Sequence, residues 1–351
     1  MEARHIGPHD VSSSFLLVLS PEHSIRSPAS RTRIYSLASR IGRRIPVIVL
    51  PISAEYWESA RVNLQLLSNT LVLFSMARSS STPLKVLVQR GTDFVGRILL
   101  LVLWRRLTGQ RLIFDFDDAI YLRTPTGVRL LCTHADAIIA STQYLASYAS
   151  MFNRKVAVVP TLVDLDVYTR ARRPANSRPV IGWIGTPSNL QYLRILQQPL
   201  KHLQETHNYV FRIVTDERSR PLVPLSRDIP WEIENWEIDN FVEKLRYFDV
   251  GVCPLPDDDW TRGKAGYKIL EYMALEVPPV ASSVGFNKVV IEDGFDGFLV
   301  STENEWWSRL KGLIEDPQNR ERMGQRGRSK VENGYSLQAW TDRILDFIKS
   351  V

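Results

Sequence analysis

Cysteine is nearly absent from this chain of 351 residues: only Cys132 and Cys253 occur, far apart and each in apolar surroundings. They read as buried thiols of a reducing compartment, and neither belongs to a CxxC metal or redox pair. Long apolar runs are missing too. The longest, Ile98–Trp104, spans seven residues, against roughly 20 for a membrane-crossing helix, so no transmembrane segment is expected. The opening MEARHIGPHDVSSS is polar and only Phe15–Leu19 is apolar, so no signal peptide is expected either. There is no low-complexity tract and no repeat of solenoid length. A helix-turn-helix, RNA-binding or zinc signature is also lacking. No Ser–His–Asp or Cys–His set points to a covalent nucleophile.

What is present is globular in composition, 44% hydrophobic and 23% charged, and long enough for two ordinary domains. Charge is unevenly spread. Residues 1–175 carry 22 Lys+Arg against 12 Asp+Glu, a net of +10, and residues 176–351 carry 22 against 26, a net of −4. In the basic half, Arg31–Arg44 (RTRIYSLASRIGRR) and Gly96–Arg111 (GRILLLVLWRRLTGQR) set Arg among apolar residues at helical spacing. Three readings are open: contact with anionic lipid or a phosphorylated acceptor, a nucleic-acid groove, or core helices whose Arg residues snorkel into water. With no supporting signature, nucleic acid is not an expected partner.

Short β-rich runs alternate with helical patterns, which predicts an α/β fold with parallel sheets in two Rossmann-like halves. In the first half the strands are predicted at Phe15–Leu19, Pro46–Leu50, Val86–Val88, Leu112–Phe116, Ala137–Ala140 and Val156–Val159, with helices near 31–43, 57–78, 94–108 and 142–152. Thr169–Pro179 (TRARRPANSRP) reads as a linker. The second half opens with VIGWIG at Val180, then a helix near 189–206, strand Tyr209–Thr215, a helix near 239–247 and strand FDVGVCPL. PPVAS, Gly297–Val300 and a helix from Glu303 to Ile314 follow. Leu337, Trp340, Ile344, Phe347 and Val351 form one apolar stripe on a terminal helix. The predicted division is 1–172, 173–335 and the terminal helix 336–351, with a crossing back to the first domain open to that helix. Ligand chemistry belongs at the carboxyl ends of the strands, in a cleft where the two halves face each other.

The most informative stretch is Arg262–Asn287 (RGKAGYKILEYMALEVPPVASSVGFN). A Gly-rich turn with Gly263, Lys264, Gly266 and Lys268 runs into an amphipathic helix that bears Glu271. Small residues at a helix N-terminus offer backbone N–H groups and the positive end of the dipole to a phosphate. The lysines add point charges, and the carboxylate one turn on can accept from a ribose diol. An ordinary loop-to-helix junction with solvated lysines is the plainer alternative.

These residues, with EDGFDGFLV and ENEWWSRLKGLIEDPQNRERMGQRGRSKVENGYS, resemble the C-terminal domain of family-4 retaining glycosyltransferases of the two-Rossmann GT-B fold. Within the family the likeness is to a subgroup of bacterial surface-polysaccharide assembly. It is strongest over about 180–340 and looser over 1–175, where SPASRTR, VLVQRG, FDFDDAIY and HADAIIAST follow the same order. The resemblance implies a cytoplasmic enzyme, associated with the inner face of the membrane and independent of metal or cofactor. It would move a sugar from a nucleotide-diphosphate donor, UDP by default, to a saccharide or lipid-linked saccharide hydroxyl. A nucleotide-sugar epimerase and a non-catalytic component of an assembly complex are the alternatives.

Carried over by position, Glu271 matches the second Glu of the family's Glu–x7–Glu motif, which binds the donor ribose, and Gly266 and Tyr267 meet the diphosphate or sugar. The first Glu is replaced by Gly263, and Asp257, Asp258 or Asp259 are candidate substitutes. Lys264 is the first choice to neutralise the leaving diphosphate, with Lys268 second. In WIGTPSNLQYL (Trp183–Leu193), Gly185 allows close approach, and Thr186, Ser188 and Asn189 supply donors or merely cap a helix. Of the cationic pair usual beyond that turn only Arg194 is present. Asp115 takes the place of a family His, and either it or its neighbours Asp117 and Asp118 steer the acceptor hydroxyl or take its proton, or they cap a turn. Asp-x-Asp also suggests a divalent-metal site, a role made redundant by the lysines. Arg31, Arg33 and Arg90 are candidate acceptor contacts or surface charges.

Overall fold

The structure, a computed structural model, describes residues 16–20, 27–51, 84–90, 95–171 and 174–351. The helix expected over 57–78 lies outside the described residues, as do Phe15 and residues 172–173 of the expected linker. By contacts the chain divides into two compact units. Unit 1 gathers the described residues up to Leu162 with Gly263–Ala265 and Trp340–Val351, and unit 2 comprises Val163–Arg262 and Gly266–Ala339.

Unit 1 holds a six-stranded, all-parallel sheet: β1 (Leu16–Ser20), β2 (Val47–Pro51), β3 (Lys85–Gln89), β4 (Arg111–Phe116), β5 (Ala137–Ala140) and β6 (Val156–Val158), in the order β2-β1-β3-β4-β5-β6. Parallel strands covered on both faces read as near-continuous apolar runs, and β3 and β5 are buried along their whole length. The helices are α1 (28–41), α2 (Val95–Thr108), α3 (Pro125–His134) and α4 (Gln143–Ala149). Arg31–Ser36, in the middle of α1, winds as a π-helix, a widening frequent at functional positions. Lys85, only 6% exposed, donates from Nζ to the carbonyls of Ile348 (2.6 Å) and Lys349 (2.9 Å), placing a cation where the terminal helix leaves its last carbonyls open. Burial lifts the Cys132 thiol to about 12, and both cysteines are buried and reduced.

Unit 2 repeats the scheme with β7 (Val180–Ile184), β8 (Val210–Thr215), β9 (Trp231–Asn235), β10 (Val250–Cys253), β11 (Pro279–Ser282) and β12 (Phe298–Val300), again all parallel, in the order β12-β11-β10-β7-β8-β9. Its helices are α5 (Gln197–Gln204), α6 (Phe241–Arg246), α7 (Tyr267–Ala274), α8 (Glu303–Glu315) and α9 (Pro317–Gly334), and α10 (Leu337–Ser350) ends the chain. The helix expected over 189–206 divides. Pro187–Leu196 is a 3-10 helix, and α5 begins only at Gln197. Pro199 explains the break, because its ring has no N–H to donate and is tolerated only in a first α-turn.

Three further differences separate structure from sequence expectation. The buried stripe of α10 is Leu337, Thr341, Ile344, Leu345 and Ile348, whereas Trp340, Phe347 and Val351 are only half-buried. The indole of Trp340 lies under the Arg343 guanidinium, 5.3 Å away. Helix α9 was not foreseen as an element, since its buried face is Met323, Gly324, Gly327, Arg328 and Val331 and shows no apolar stripe. Strand β9 was missed because it is an edge strand with two glutamates, Glu232 and Glu234, that answer Arg212 at 2.7 and 2.9 Å.

Candidate functional site

In unit 2 the chain runs outward from β7 to β8 and β9, then returns to lay β10 on the other side of β7. Strand order therefore reverses between β7 and β10. Open parallel sheets bind ligands beyond the carboxyl ends of the strands at such a switch point. The two segments that leave it are the Gly185 turn after β7 and the loop after β10 that leads into α7.

At Gly185 a Cβ atom would lie 2.5 Å from the Trp183 ring and 3.2 Å from Lys268 Nζ, so only glycine lets the ammonium approach the turn. Lys268 Nζ is 4.7 Å from the Trp183 ring centroid, and that indole is 1% exposed. A cation over a partly desolvated indole is worth about 2 kcal/mol, enough to hold the lysine at the turn. Gly266 has φ +61°, the left-handed region that favours glycine, and forms the N-cap of α7 without a capping side chain of its own. The first turn of a helix presents N–H groups and a positive dipole end. Thr186 Oγ1 lies 3.1 Å from Ser188 Oγ and accepts from Asn189 Nδ2 at 2.8 Å, which knits the turn after β7 together. Arg194 is exposed.

Glu271, 4% exposed, accepts a 2.5 Å hydrogen bond from the Tyr168 hydroxyl. Around it α7 is pinned at several points. The Arg328 guanidinium donates to the carbonyls of Tyr168 (2.6 Å) and Ala274, and Tyr272 Oη accepts from Ile184 N (3.1 Å) and donates to Val252 O (3.3 Å). Neither Tyr168 nor Arg328 carried any sequence signal, since they lie 103 and 57 residues from Glu271. The expected substitutes for the missing glutamate are engaged locally. Arg262 holds Asp257 at 2.7 Å and Asp259 at 3.2 Å, and Asp258 accepts from Thr261 N at 2.7 Å. Those bonds stiffen the loop and tie its aspartates to Arg262 and Thr261.

The second cluster lies at the carboxyl ends of β3 and β4 in unit 1. Arg33 grips Asp115 with two teeth, Nε to Oδ2 at 2.8 Å and Nη2 to Oδ1, and also donates to Val159 O at 3.1 Å. The two residues are 7% and 3% exposed. Burial raises the Asp115 carboxyl against the pull of Arg33, and it opposes the raised Arg33 value that Asp115 creates. The bidentate geometry is that of an ion pair. Arg33 and Asp115 are thus each other's partners inside the unit.

Arg90 is engaged within the same cluster. Its backbone sits at φ +56°, uncommon for a residue with a side chain, and its N–H donates to Asp115 O at 2.8 Å. From there the guanidinium reaches Asp117 and Asp118, both at 2.7 Å. Burial would raise Asp117, but Arg90 and Arg33 outweigh it and hold that carboxyl below its ordinary range; for Asp118 burial prevails, and the value is raised. Lys264 contributes electrostatically at Asp118. Arg31 stands half-buried in the π-wound part of α1. Among the described residues no group of three His, Cys, Asp or Glu side chains is placed to hold a metal ion; guanidinium groups occupy the Asp-x-Asp carboxylates.

Gly263 abuts the loop that follows these aspartates. A Cβ there would stand 2.7 Å from Ala119 Cβ and 3.0 Å from Ala119 N. Gly263→Ala is expected to destabilise the protein by about 1–3 kcal/mol, the usual cost of overpacking, with part of the loss recovered by Ala119→Gly. Thermal unfolding of the single and double variants checks this, and a Gly263→Ala protein as stable as its parent contradicts the close approach.

Residues 178–316 match the family model Glycosyl transferases group 1. No curated protein matches the chain. Among solved structures, HepE from Anabaena in complex with UDP and glucose is 14% identical, covers 97% of this chain and 100% of its own, and superposes with a TM-score of 0.73. Sucrose-phosphate synthase from Thermosynechococcus elongatus gives 12%, 96%, 99% and 0.76. The lipopolysaccharide outer core galactosyltransferase WaaB gives 11%, 96%, 99% and 0.63. The fold, two α/β units with parallel sheets, is that of these GT-B structures.

Proposed function

We propose that the chain is a retaining glycosyltransferase of family 4, in which unit 2 holds a nucleotide-diphosphate sugar and unit 1 supplies the acceptor-side groups. The donor is UDP-linked by default, and HepE has been seen with UDP and with UDP-glucose. The acceptor is a saccharide or lipid-linked saccharide of surface-polysaccharide assembly, handled by a peripheral protein at the inner membrane face. The observation that carries the reading is the switch point of the second sheet. There the Gly185 turn receives the Lys268 ammonium, and the loop after the neighbouring strand delivers the glycine-capped N-terminus of α7 with Glu271 one turn along.

In this mechanism the diphosphate rests against backbone N–H groups near Gly185, Gly266 and Tyr267, with Thr186, Ser188 and Asn189 lining the turn. Lys268 moves ahead of Lys264 as the cation that stabilises the leaving diphosphate, because it is the one seated at Gly185. Lys264 remains a second cation beside Asp118. Glu271 takes the ribose diol, with Tyr168 setting its orientation. The acceptor hydroxyl attacks on the face from which the nucleotide departs, and a diphosphate oxygen receives its proton, so neither a metal nor a covalent enzyme intermediate is required. Asp117 and Asp118, turned by Arg90, steer the acceptor. A non-catalytic role draws some support from Gly263, which puts no carboxylate where the family has one.

Turnover of a panel of nucleotide sugars with saccharide acceptors, followed by mass spectrometry, tests the proposal. Transfer with retention by the parent protein, lost in Glu271→Ala and reduced in Lys264→Ala, is the expected result. Parent-like transfer by both variants would remove this site.

A further inference from the structure

Helix α2 (Val95–Thr108) is amphipathic in an unusual sense, because its outer face is apolar as well. Ile98, Leu101, Val102 and Trp104 are buried, as the inner face of a crossover helix should be. Yet Val95, Leu99, Leu100, Leu103 and Leu107 are 37%, 52%, 41%, 51% and 67% exposed. These five are among thirteen large hydrophobic residues exposed over the described chain, so exposure is concentrated on one helix instead of scattered singly, and concentration marks an interaction surface. At 100° per residue they span a single arc of about 140°, and Arg106 falls inside it. Arg106 is exposed. Arg105, by contrast, turns inward and pairs with Asp136 at 2.7 and 2.6 Å.

Charge selects the occupant. No acidic residue lies between Asp93 and Asp115, whereas Arg97, Arg105, Arg106 and Arg111 do. A second copy docked about a two-fold axis would bury Arg106 of both helices in an apolar seam, and the helix has no carboxylate to answer either. Anionic lipid headgroups answer such cations, and acyl chains accept leucine side chains at the depth of about 5–10 Å typical of an in-plane helix. The helix is 14 residues long, or roughly 21 Å, and no described helix is long and apolar enough to cross a membrane.

We propose that the outer face of α2 docks on an anionic bilayer, with Leu99, Leu103 and Leu107 inserted and Arg106 at the phosphate level. The inference rests on the peripheral placement proposed above and names the surface that carries it; because adsorption needs no turnover, it can fail while the transfer reaction stands. The test is co-sedimentation of the full chain with phosphatidylglycerol-containing and with purely phosphatidylcholine vesicles, at low and high salt. The variants are Leu99→Gln/Leu103→Gln/Leu107→Gln and Arg106→Glu. All four side chains are exposed, so the variants should melt like the parent, and transfer to a soluble acceptor should be unchanged.

The expected result is salt-sensitive binding to the anionic vesicles only, weakened about tenfold or more in both variants. Three results would overturn the inference. One is parent-like binding by the triple-Gln variant. Another is no preference for anionic vesicles. The third is a parent that elutes as a dimer which the triple-Gln variant alone breaks, showing that a second copy covers the face.

Discussion

Arg33→Ala is expected to lower the stability of unit 1 by about 3–5 kcal/mol, the usual consequence of leaving a buried charge without its partner. The Arg33 and Asp115 side chains are 5% and 4% exposed, so alanine leaves the Asp115 carboxylate buried without its guanidinium partner. The Val159 carbonyl, which accepts from Arg33 at 3.1 Å, loses its donor as well. The surface pair Arg44–Asp342 is the natural control. Its side chains are 56% and 70% exposed, where ion pairs contribute about 0–1 kcal/mol, so Arg44→Ala should unfold almost with the parent. Removing both charges in Arg33→Met/Asp115→Leu should recover most of the loss, since buried pairs are often replaceable by well-packed apolar residues. Urea unfolding of the four proteins reads the ordering. Equal midpoints for Arg33→Ala and Arg44→Ala would show that the pair is not buried as described.

The second large effect is on activity. Lys268→Ala should lower kcat/KM about 100-fold, because a preorganised cation at a developing negative charge is worth about 2.7–4 kcal/mol where it has been removed. The lysine is preorganised by its seat over Trp183 and against Gly185. Trp183→Leu should therefore reduce activity less than Lys268→Ala, by loosening the cation without deleting it. Lys268→Arg should restore only part, since a planar fork does not replace a compact ammonium at this site. Steady-state kinetics on the three variants give the order, and an unaffected Lys268→Ala would leave the turn without its cation.

The fold was largely written in the pattern of apolar runs. Strands such as β3, β7 and β10 are buried throughout and have no competing helical period. Helix α9 and strand β9 escaped because glycines bury the one and charge pairs finish the other. At the site, Gly185, Gly266, Lys268 and Glu271 were legible as residue types with a local geometric task. What the chain could not announce was pairing across long separations. Arg33 and Asp115 are 82 residues apart and Tyr168 and Glu271 are 103 apart, so spacing alone left their roles open. Solvent-facing charges and buried charges look identical in a sequence. The burial and mutual pairing of Arg33 and Asp115 therefore carry no signal of their own, and the apolar outer face of α2 is indistinguishable there from a core helix.

Calorimetric titration of uridine, guanosine and adenosine diphosphates, each beside its nucleoside, probes the proposed anion seat without requiring the acceptor. At least one diphosphate should bind far more tightly than its nucleoside, and Lys268→Ala should erase most of that difference while sparing the nucleoside. Heat traces in which no diphosphate outcompetes its nucleoside would contradict the account.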